Sequence, residues 1–319
     1  MNNMAPIIVF VYNRPDHAER TINALQNNPE AKDSVLYIFS DGPKVGAKEE
    51  VRKRIQEVKK YIHTIKGFKQ VIIRDYHENQ GLATIIMNGV SEVFKCHDRA
   101  IMVEDDCVAS PYFLSYENRC LEKYKDDESI WAVCGYVDNS IVPKREGDDL
   151  FLVNRPSSWG FGTWKRCWDK VIWDIDELKK IFSSDKLVME FNRWGGMDFS
   201  RMMFGTFMNH NSSWAIRFNF GAFQNKAFTI LPNKTLIHCI GMDGSGDHSA
   251  NIKSKAIATI EMMDHDVIIP DDISFDVFRN DCLTKGTPWT IIKARLVPIL
   301  YRHPRIKRIV FKITGKGHF

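Results

Sequence analysis

The chain has 319 residues, 44% hydrophobic and 26% charged, with a formal net charge of +4; this is globular composition, long enough for one large domain or two small ones. No run of eighteen apolar residues occurs, so no spanning helix is expected, and the opening MNNMAPIIVFVYNRPD lacks the basic region and small-residue cleavage site of a signal peptide. Seven cysteines at irregular spacing, with no C-x-x-C pair, suit reduced thiols in a cytoplasmic protein and argue against a zinc ribbon.

The first 140 residues alternate apolar runs with helical periods. PIIVFVYNR (6–14) reads as a buried strand, followed by a helix with Asp16 as its cap and Ala18, Ile22 and Leu25 on one face. VLYIFSDG (35–42) is a second strand. Val51, Ile55, Val58, Ile62 and Ile65 mark the next helix, and KQVIIRD (69–75) the third strand. Leu82, Ile85, Ile86, Val90, Val93 and Phe94 mark a third helix before the strand RAIMVEDD (99–106). Phe113, Tyr116, Cys120 and Tyr124 give a helix with Pro111 in its first turn, and IWAVCGYV (130–137) closes the series. Such alternation predicts an α/β fold with a mostly parallel central sheet and helices on both faces. Ligands then sit beyond the carboxyl ends of the strands. Polar residues follow each strand there: Asn13 and Arg14, Asp41, Asp75 to Asn79, and Glu104 to Asp106.

From about Leu150 periodicity weakens and tryptophan recurs, which reads as an irregular second half completing a cleft. The expected organisation is one domain over 1–281, in two halves (1–140 and 141–281), then a tail over 282–319. That tail holds nine Lys or Arg and no Asp or Glu, leaving 35 basic and 40 acidic side chains in the first 281 residues. Its interleaved basic and apolar residues suit an anionic membrane surface or a terminal helix packed on the domain. Pro298 and Pro304 are expected to break any long helix, and nothing supports a nucleic-acid partner.

Three carboxylates in succession after a buried strand repel one another in low dielectric unless protonated or neutralised. Hard oxygen donors suit a divalent cation, Mn2+ or Mg2+. A helix cap with surface charge is the plainer reading, as it is for the Asp-Asp pairs at 126–127, 148–149 and 271–272. No G-x-G-x-x-G follows the first strand, and neither a P-loop nor a G-x-S-x-G elbow occurs. Without a glycine loop to cradle phosphate, a bound cation is left to do so, and a nucleoside diphosphate is a ligand of that kind. Trp159 to Trp168 offer rings on which the apolar face of a sugar could stack, though tryptophan is also common in cores.

The segment from Glu104-Asp105-Asp106 through VASPYFLSYENRCLEKYKDDESIWAVCGYVDN resembles the metal-binding region of GT-A-fold glycosyltransferases, closest to the N-acetylglucosaminyltransferase I type and its bacterial relatives. VFVYNRPDHAERTINAL and NQGLATIIMNGVSEVF extend the resemblance upstream, and SSWGFGTWKRCWDKV extends it to the acceptor side, so that it covers roughly residues 5–250. It implies a GT-A fold. It also implies that Asp106 is the direct metal ligand, that Asp105 lies next to the ribose and that Glu104 contacts the donor sugar. Asn13, Arg14, Asp41, Asn79 and Gly81 would hold the donor, Trp159 and Trp164 would lie on the acceptor side, and His248 would be a second metal ligand. The general base of inverting members falls on Asp198 in RWGGMDFSRMM, where Met197 replaces the usual tryptophan; Glu190 and Asp174 compete for the role. Asp198 equally suits a helix N-cap.

The expectation is a cytoplasmic, metal-dependent, inverting glycosyltransferase, peripheral on the inner face of the cell membrane through its tail. It would move a sugar from a nucleotide-sugar donor, a UDP-sugar, to a glycan or lipid-linked acceptor. A sugar-nucleotide nucleotidyltransferase is the alternative in the same fold neighbourhood, and NRPDHAER is a poor loop for it. A non-catalytic glycan- or membrane-binding protein is the alternative of another class.

Overall fold

The computed structural model describes residues 4–147, 149–244 and 261–302. Strand β1 (Ile7–Val11) is buried along its whole length. Successive side chains of a strand point to opposite faces, so both faces of the sheet are covered here. In helix α1 (Pro15–Gln26), Ala18, Thr21, Ile22 and Leu25 turn inward. Its N-cap is Arg14, and Asp16 lies inside the first turn without capping it, which corrects the expected cap. Proline has its φ preset for a first helical position and no N–H to satisfy there, so Pro15 starts the helix early.

Strands β2 (Val35–Ser40), β3 (Gln70–Asp75) and β4 (Arg99–Glu104) alternate with helices α2 (Glu49–Ile62) and α3 (Leu82–Val93). Ile65, assigned to the α2 face, lies beyond the helix end. Short β5 (Cys107–Ala109), α4 (Phe113–Lys123) and β6 (Ile130–Cys134) complete the first half. Tyr112 is the N-cap of α4, so Pro111 precedes the helix and does not sit in its first turn.

The second half adds β7 (Leu150–Val153), β8 (Phe161–Trp164), α5 (Lys165–Trp168), α6 (Ile175–Ile181), α7 (Asp185–Gly195), α8 (Phe199–Phe207), α9 (Trp214–Asn225), β9 (Phe228–Pro232), β10 (Ile237–Cys239), α10 (Val277–Thr284) and α11 (Pro288–Arg302). Three of its strands enter the same eight-stranded sheet, in the order β3-β2-β1-β4-β8-β6-β9-β7. The β3-β2-β1-β4 block is parallel throughout. Strand β8 then lies antiparallel between β4 and β6, β6 is parallel to β9, and β7 is antiparallel to β9. A separate antiparallel pair joins β10 to β5.

Two apolar cores result. One fills the sheet; the other is an aromatic cluster of α6 to α9, with Phe182, Phe191, Phe199, Phe204 and Phe220. Helix α11 completes the second: Val297 belongs to it, and the Tyr301 ring lies 4.9 Å from that of Phe204. The boundary drawn after Asp281 falls inside α10. Pro298 sits inside α11, so the expected break at that residue does not occur. Proline costs one helical hydrogen bond, which the burial of Ala294, Val297 and Leu300 on either side offsets. Among the described residues no helix is long and apolar enough to cross a membrane.

Candidate functional site

The carboxyl ends of β1, β2 and β4 open on one cavity of about 460 Å³. Asn13 and Arg14 line it from β1, Asp41 from β2, Asn79 and Gly81 from the loop before α3, and Glu104, Asp105 and Asp106 from β4. All eight were singled out in the sequence, and the parallel block brings them together as strand ends do in such sheets.

Asp41 is 5% exposed. Its Oδ1 accepts from the backbone N–H of Gly42 (2.8 Å) and Gln80 (2.7 Å). Its Oδ2 accepts from Asn79 Nδ2 (2.9 Å) and the Gly81 N–H (3.1 Å). One buried carboxylate thus fixes the loop between β3 and α3 to the end of β2. Gly81, with φ of +80°, makes the left-handed turn into α3, a conformation that side-chain-bearing residues rarely adopt.

The acidic run is knitted to β1 and α1. Arg14 Nη2 pairs closely with Asp105 Oδ1 and lies 2.9 Å from Asp106 Oδ2. Thr21 Oγ1 donates to the Asp105 carbonyl at 2.9 Å. Burial pushes the Glu104 carboxyl up to about 8, helped by the negative neighbours Asp106 and Asp105. Burial likewise pushes Asp105 up to about 6, against the pull of Arg14. The pair with Arg14 in turn holds its guanidinium firmly protonated against the cost of burial. Asp106 packs under Gly241, where a Cβ would come within 2.0 Å of Asp106 Oδ2, so only glycine permits the approach.

Three carboxylates facing one guanidinium leave negative charge in excess, and their donor atoms are the hard oxygens that Mg2+ and Mn2+ prefer. Among the described residues no group of three protein ligands forms a complete metal cage. The donor set fits a cation held by one or two carboxylates that takes its remaining ligands from phosphate and water, as Mg2+ commonly does. Asp106 Oδ2 lies 2.9 Å from Arg14 Nη2, so a cation taken up on that oxygen would compete with the pair.

Other site candidates are dispersed. Trp159 lines the cavity, its ring edge-on to Tyr136 at 4.6 Å. Trp164 does not: it is 3% exposed, donates from Nε1 to the Leu121 carbonyl at 3.0 Å, and carries Arg166 over its ring. The expectation of an acceptor-side ring is therefore corrected to a core residue, because its place at the end of β8 faces it into α4. Asp198 is absent from the cavity lining. Its Oδ1 and Oδ2 accept from Arg155 Nη1 (2.8 Å) and Nη2 (3.0 Å). Burial pushes the Asp198 carboxyl up, but the Arg155 hydrogen bonds and charge outweigh it and hold the group below the usual carboxylate range. Asp198 occupies the N-cap position of α8 without a side-chain cap bond. Asp174 caps α6 through the Glu177 N–H, and Glu190 lies 3.9 Å from Lys186 on the surface of α7. His248 lies outside the described residues.

Lys44, Ser212, Cys239 and Met242 also line the cavity and were not picked out by sequence reasoning. Lys44 lies three residues after Asp41 in the loop that follows β2, whereas Ser212, Cys239 and Met242 come from the second half, outside the parallel block.

The model of the GNT-I family matches this chain over the segment that holds all three carboxylates. The match spans residues 1–147, just under half of the chain. The matched segment contains every donor-side residue named above, and the match agrees with the resemblance read from the sequence. Trp159 and Asp198 lie beyond it. No curated protein matches the chain. Among solved structures, the chain is similar to the mannosyltransferase PcManGT from Pyrobaculum calidifontis, in complex with GDP-Man and Mn2+, at 8% identity and a TM-score of 0.37, covering 53% of this chain and 47% of that one. It is also similar to TarS of S. aureus at 10% identity and a TM-score of 0.40, covering 73% of this chain and 36% of that one. The chain thus spans about half the length of the first and about a third of the second.

Proposed function

We propose that the protein transfers a sugar from a nucleoside diphosphate donor, a UDP-sugar, to a hydroxyl of a glycan or lipid-linked glycan, with inversion at the anomeric carbon. The observation that carries this reading is the convergence on one cavity of Arg14, Asp41, Asn79 and Glu104 to Asp106, all from the segment that the GNT-I family model matches. The loop held by Asp41 receives the nucleoside. Arg14 and Lys44 face the same cavity and supply positive charge for the diphosphate. Glu104 orients the donor sugar. Asp106 would hold a divalent cation, which when bound would neutralise charge on the departing diphosphate. Asp198, ionised beside Arg155, takes the proton of the acceptor hydroxyl as its oxygen attacks.

Calorimetric titration of the full chain with UDP, GDP and CMP, in manganese and in chelator, tests the donor and the cation separately. UDP in manganese is expected to bind at least about tenfold more tightly than in chelator, since phosphate and carboxylate share the ion. Equal binding in chelator removes the cation, and no nucleoside diphosphate binding at all removes the donor reading. Incorporation of sugar into a glycan acceptor, with release of UDP and not of pyrophosphate, separates transfer from nucleotidyl transfer.

The membrane association of the tail is part of the same proposal. Residues 303–319 lie outside the described residues, but α11 supports it: Ile292, Leu296 and Ile299 are exposed along one face, with Arg295 exposed beside them. Because α11 also completes the aromatic core, truncation would confound a test, and point changes on its outer face are preferable. The full chain is expected to float with anionic vesicles and to be released by salt. The triple change Ile292→Glu, Leu296→Glu and Ile299→Glu is expected to weaken flotation about tenfold or more, from lost apolar burial and added negative charge. Equal flotation of both, or none by the parent chain, leaves α11 a packing element alone.

A further inference from the structure

Beside the site lies a pair of thiols that the proposed transfer does not use. Strands β5 and β10 are antiparallel, and Cys107 is the register partner of Cys239. The flanking bonds define what kind of pair this is. The Ile240 N–H donates to the Asp106 carbonyl and the Ser110 N–H to the Leu236 carbonyl, each at 2.8 Å. Hydrogen-bonded and non-hydrogen-bonded pairs alternate along an antiparallel ladder, so Cys107 and Cys239 form a non-hydrogen-bonded pair. That class brings Cα atoms to about 4.5 Å with side chains on the same face, inside the roughly 4.4–6.8 Å span of disulfides. Both cysteines are free. Cys107 is fully buried, whereas Cys239 lines the cavity, which gives a small oxidant a path to it.

We infer that Cys107 and Cys239 are an oxidation-sensitive dithiol that closes to a cross-strand disulfide and weakens donor binding in the adjoining cavity. The oxidant is a small peroxide. The Cys239 sulfur attacks one peroxide oxygen, the O–O bond breaks, and a sulfenic acid and one water form. The Cys107 sulfur then displaces that hydroxyl, the S–S bond forms, and the thiol proton leaves with the hydroxide as a second water. Two thiols lose two electrons in total, and one hydrogen peroxide is reduced to two waters.

The link to binding is short. Cys107 follows Asp106 directly, and its Sγ lies 3.7 Å from Asp106 Oδ1. Cys239 leads through Ile240 to Gly241, the residue packed on Asp106 Oδ2. A bond between the sulfurs removes the thiol hydrogen that Cys107 directs at Asp106 Oδ1. Loss of such supporting contacts costs about tenfold or more in affinity at metal-carboxylate sites. This consequence for binding rests on the proposed function; the dithiol itself does not.

The full chain, freed of reductant and treated with hydrogen peroxide, is blocked with a maleimide in denaturant and mapped without reduction. A linked peptide joining Cys107 to Cys239 is expected, lost on treatment with dithiothreitol. UDP affinity in manganese is expected to fall about tenfold on oxidation and to return on reduction. A Cys239→Ser chain, which lacks the thiol that peroxide reaches, is expected to show the same affinity before and after the treatment. Recovery of both cysteines as maleimide adducts when exposed Cys96 has been oxidised overturns the proposal. A linked peptide with unchanged UDP affinity overturns its effect on the site. If UDP does not bind even the reduced chain, the donor reading fails while the peptide map still decides the dithiol. The map uses the unaltered chain, so it stands even where a serine variant does not fold.

Discussion

Asp106→Ala is expected to lower transfer by about 100- to 1000-fold, the range found when one preorganised charge contact to a transition state is removed. UDP binding in manganese should fall to the level seen in chelator. The carboxylate is held between Gly241 and Arg14, and alanine is smaller, so no clash follows from the change. Arg14 keeps its pair with Asp105, which preserves the tie between β1 and β4. Unfolding midpoints should therefore move little while binding collapses, and measuring both separates loss of the site from loss of the fold. If Asp106→Ala binds UDP in manganese as the parent does, the cation is not on Asp106. If the parent chain transfers equally well in chelator, no cation takes part.

The parallel block of the sheet was legible because its strands are buried on both faces and so read as continuous apolar runs. β1 shows this most plainly, with all five residues buried. The second half was not legible in that way. β8 is only FGTW, four residues with a glycine in them, too short for any period to show. Its insertion antiparallel between β4 and β6 separates two strands that a simple alternating reading makes neighbours. The turn signals failed where two rules competed. A capping aspartate at 16 and a first-turn proline at 15 both announce α1, and the proline sets the start. Pro298 breaks helices in isolation, but packing on both sides of it decides otherwise here.

Residues at the site were legible where they follow a strand of the parallel block, since topology alone carries Asn13, Arg14, Asp41 and the acidic run to one edge. Contacts between distant segments were not. Trp159 and Trp164 belong to one short stretch, yet the first lines the cavity and the second is buried in the core; no pattern in the sequence separates them. The pairing of Asp41 with a loop 39 residues away, and of Arg14 with Asp105 at a separation of 91, are products of the folded sheet. The Cys107–Cys239 register likewise exists only once β10 lies on β5.

Asp198→Asn is expected to reduce transfer by about 100-fold or more, the usual contribution of a general base, with UDP binding nearly unchanged. Asparagine keeps the size of the side chain and one acceptor for Arg155, but it cannot take a proton. The ion pair itself supplies the control. Arg155 holds the Asp198 carboxyl low against the effect of burial, so the base is ionised at neutral pH and stays so well into acid. In Arg155→Met only burial remains of the two large influences, and the Asp198 pKa must rise. If Asp198 is the base, the acid limb of the pH–rate profile moves to higher pH in Arg155→Met, while the rate at the plateau exceeds that of Asp198→Asn. A purely structural pair behaves differently: Asp198→Asn weakens and Arg155→Met removes the clamp between the loop after β7 and the start of α8, so each variant loses rate in step with stability and the acid limb stays in place. That second pattern, or transfer by Asp198→Asn within a few fold of the parent, would place the base on another residue, with Glu190 the next to be changed.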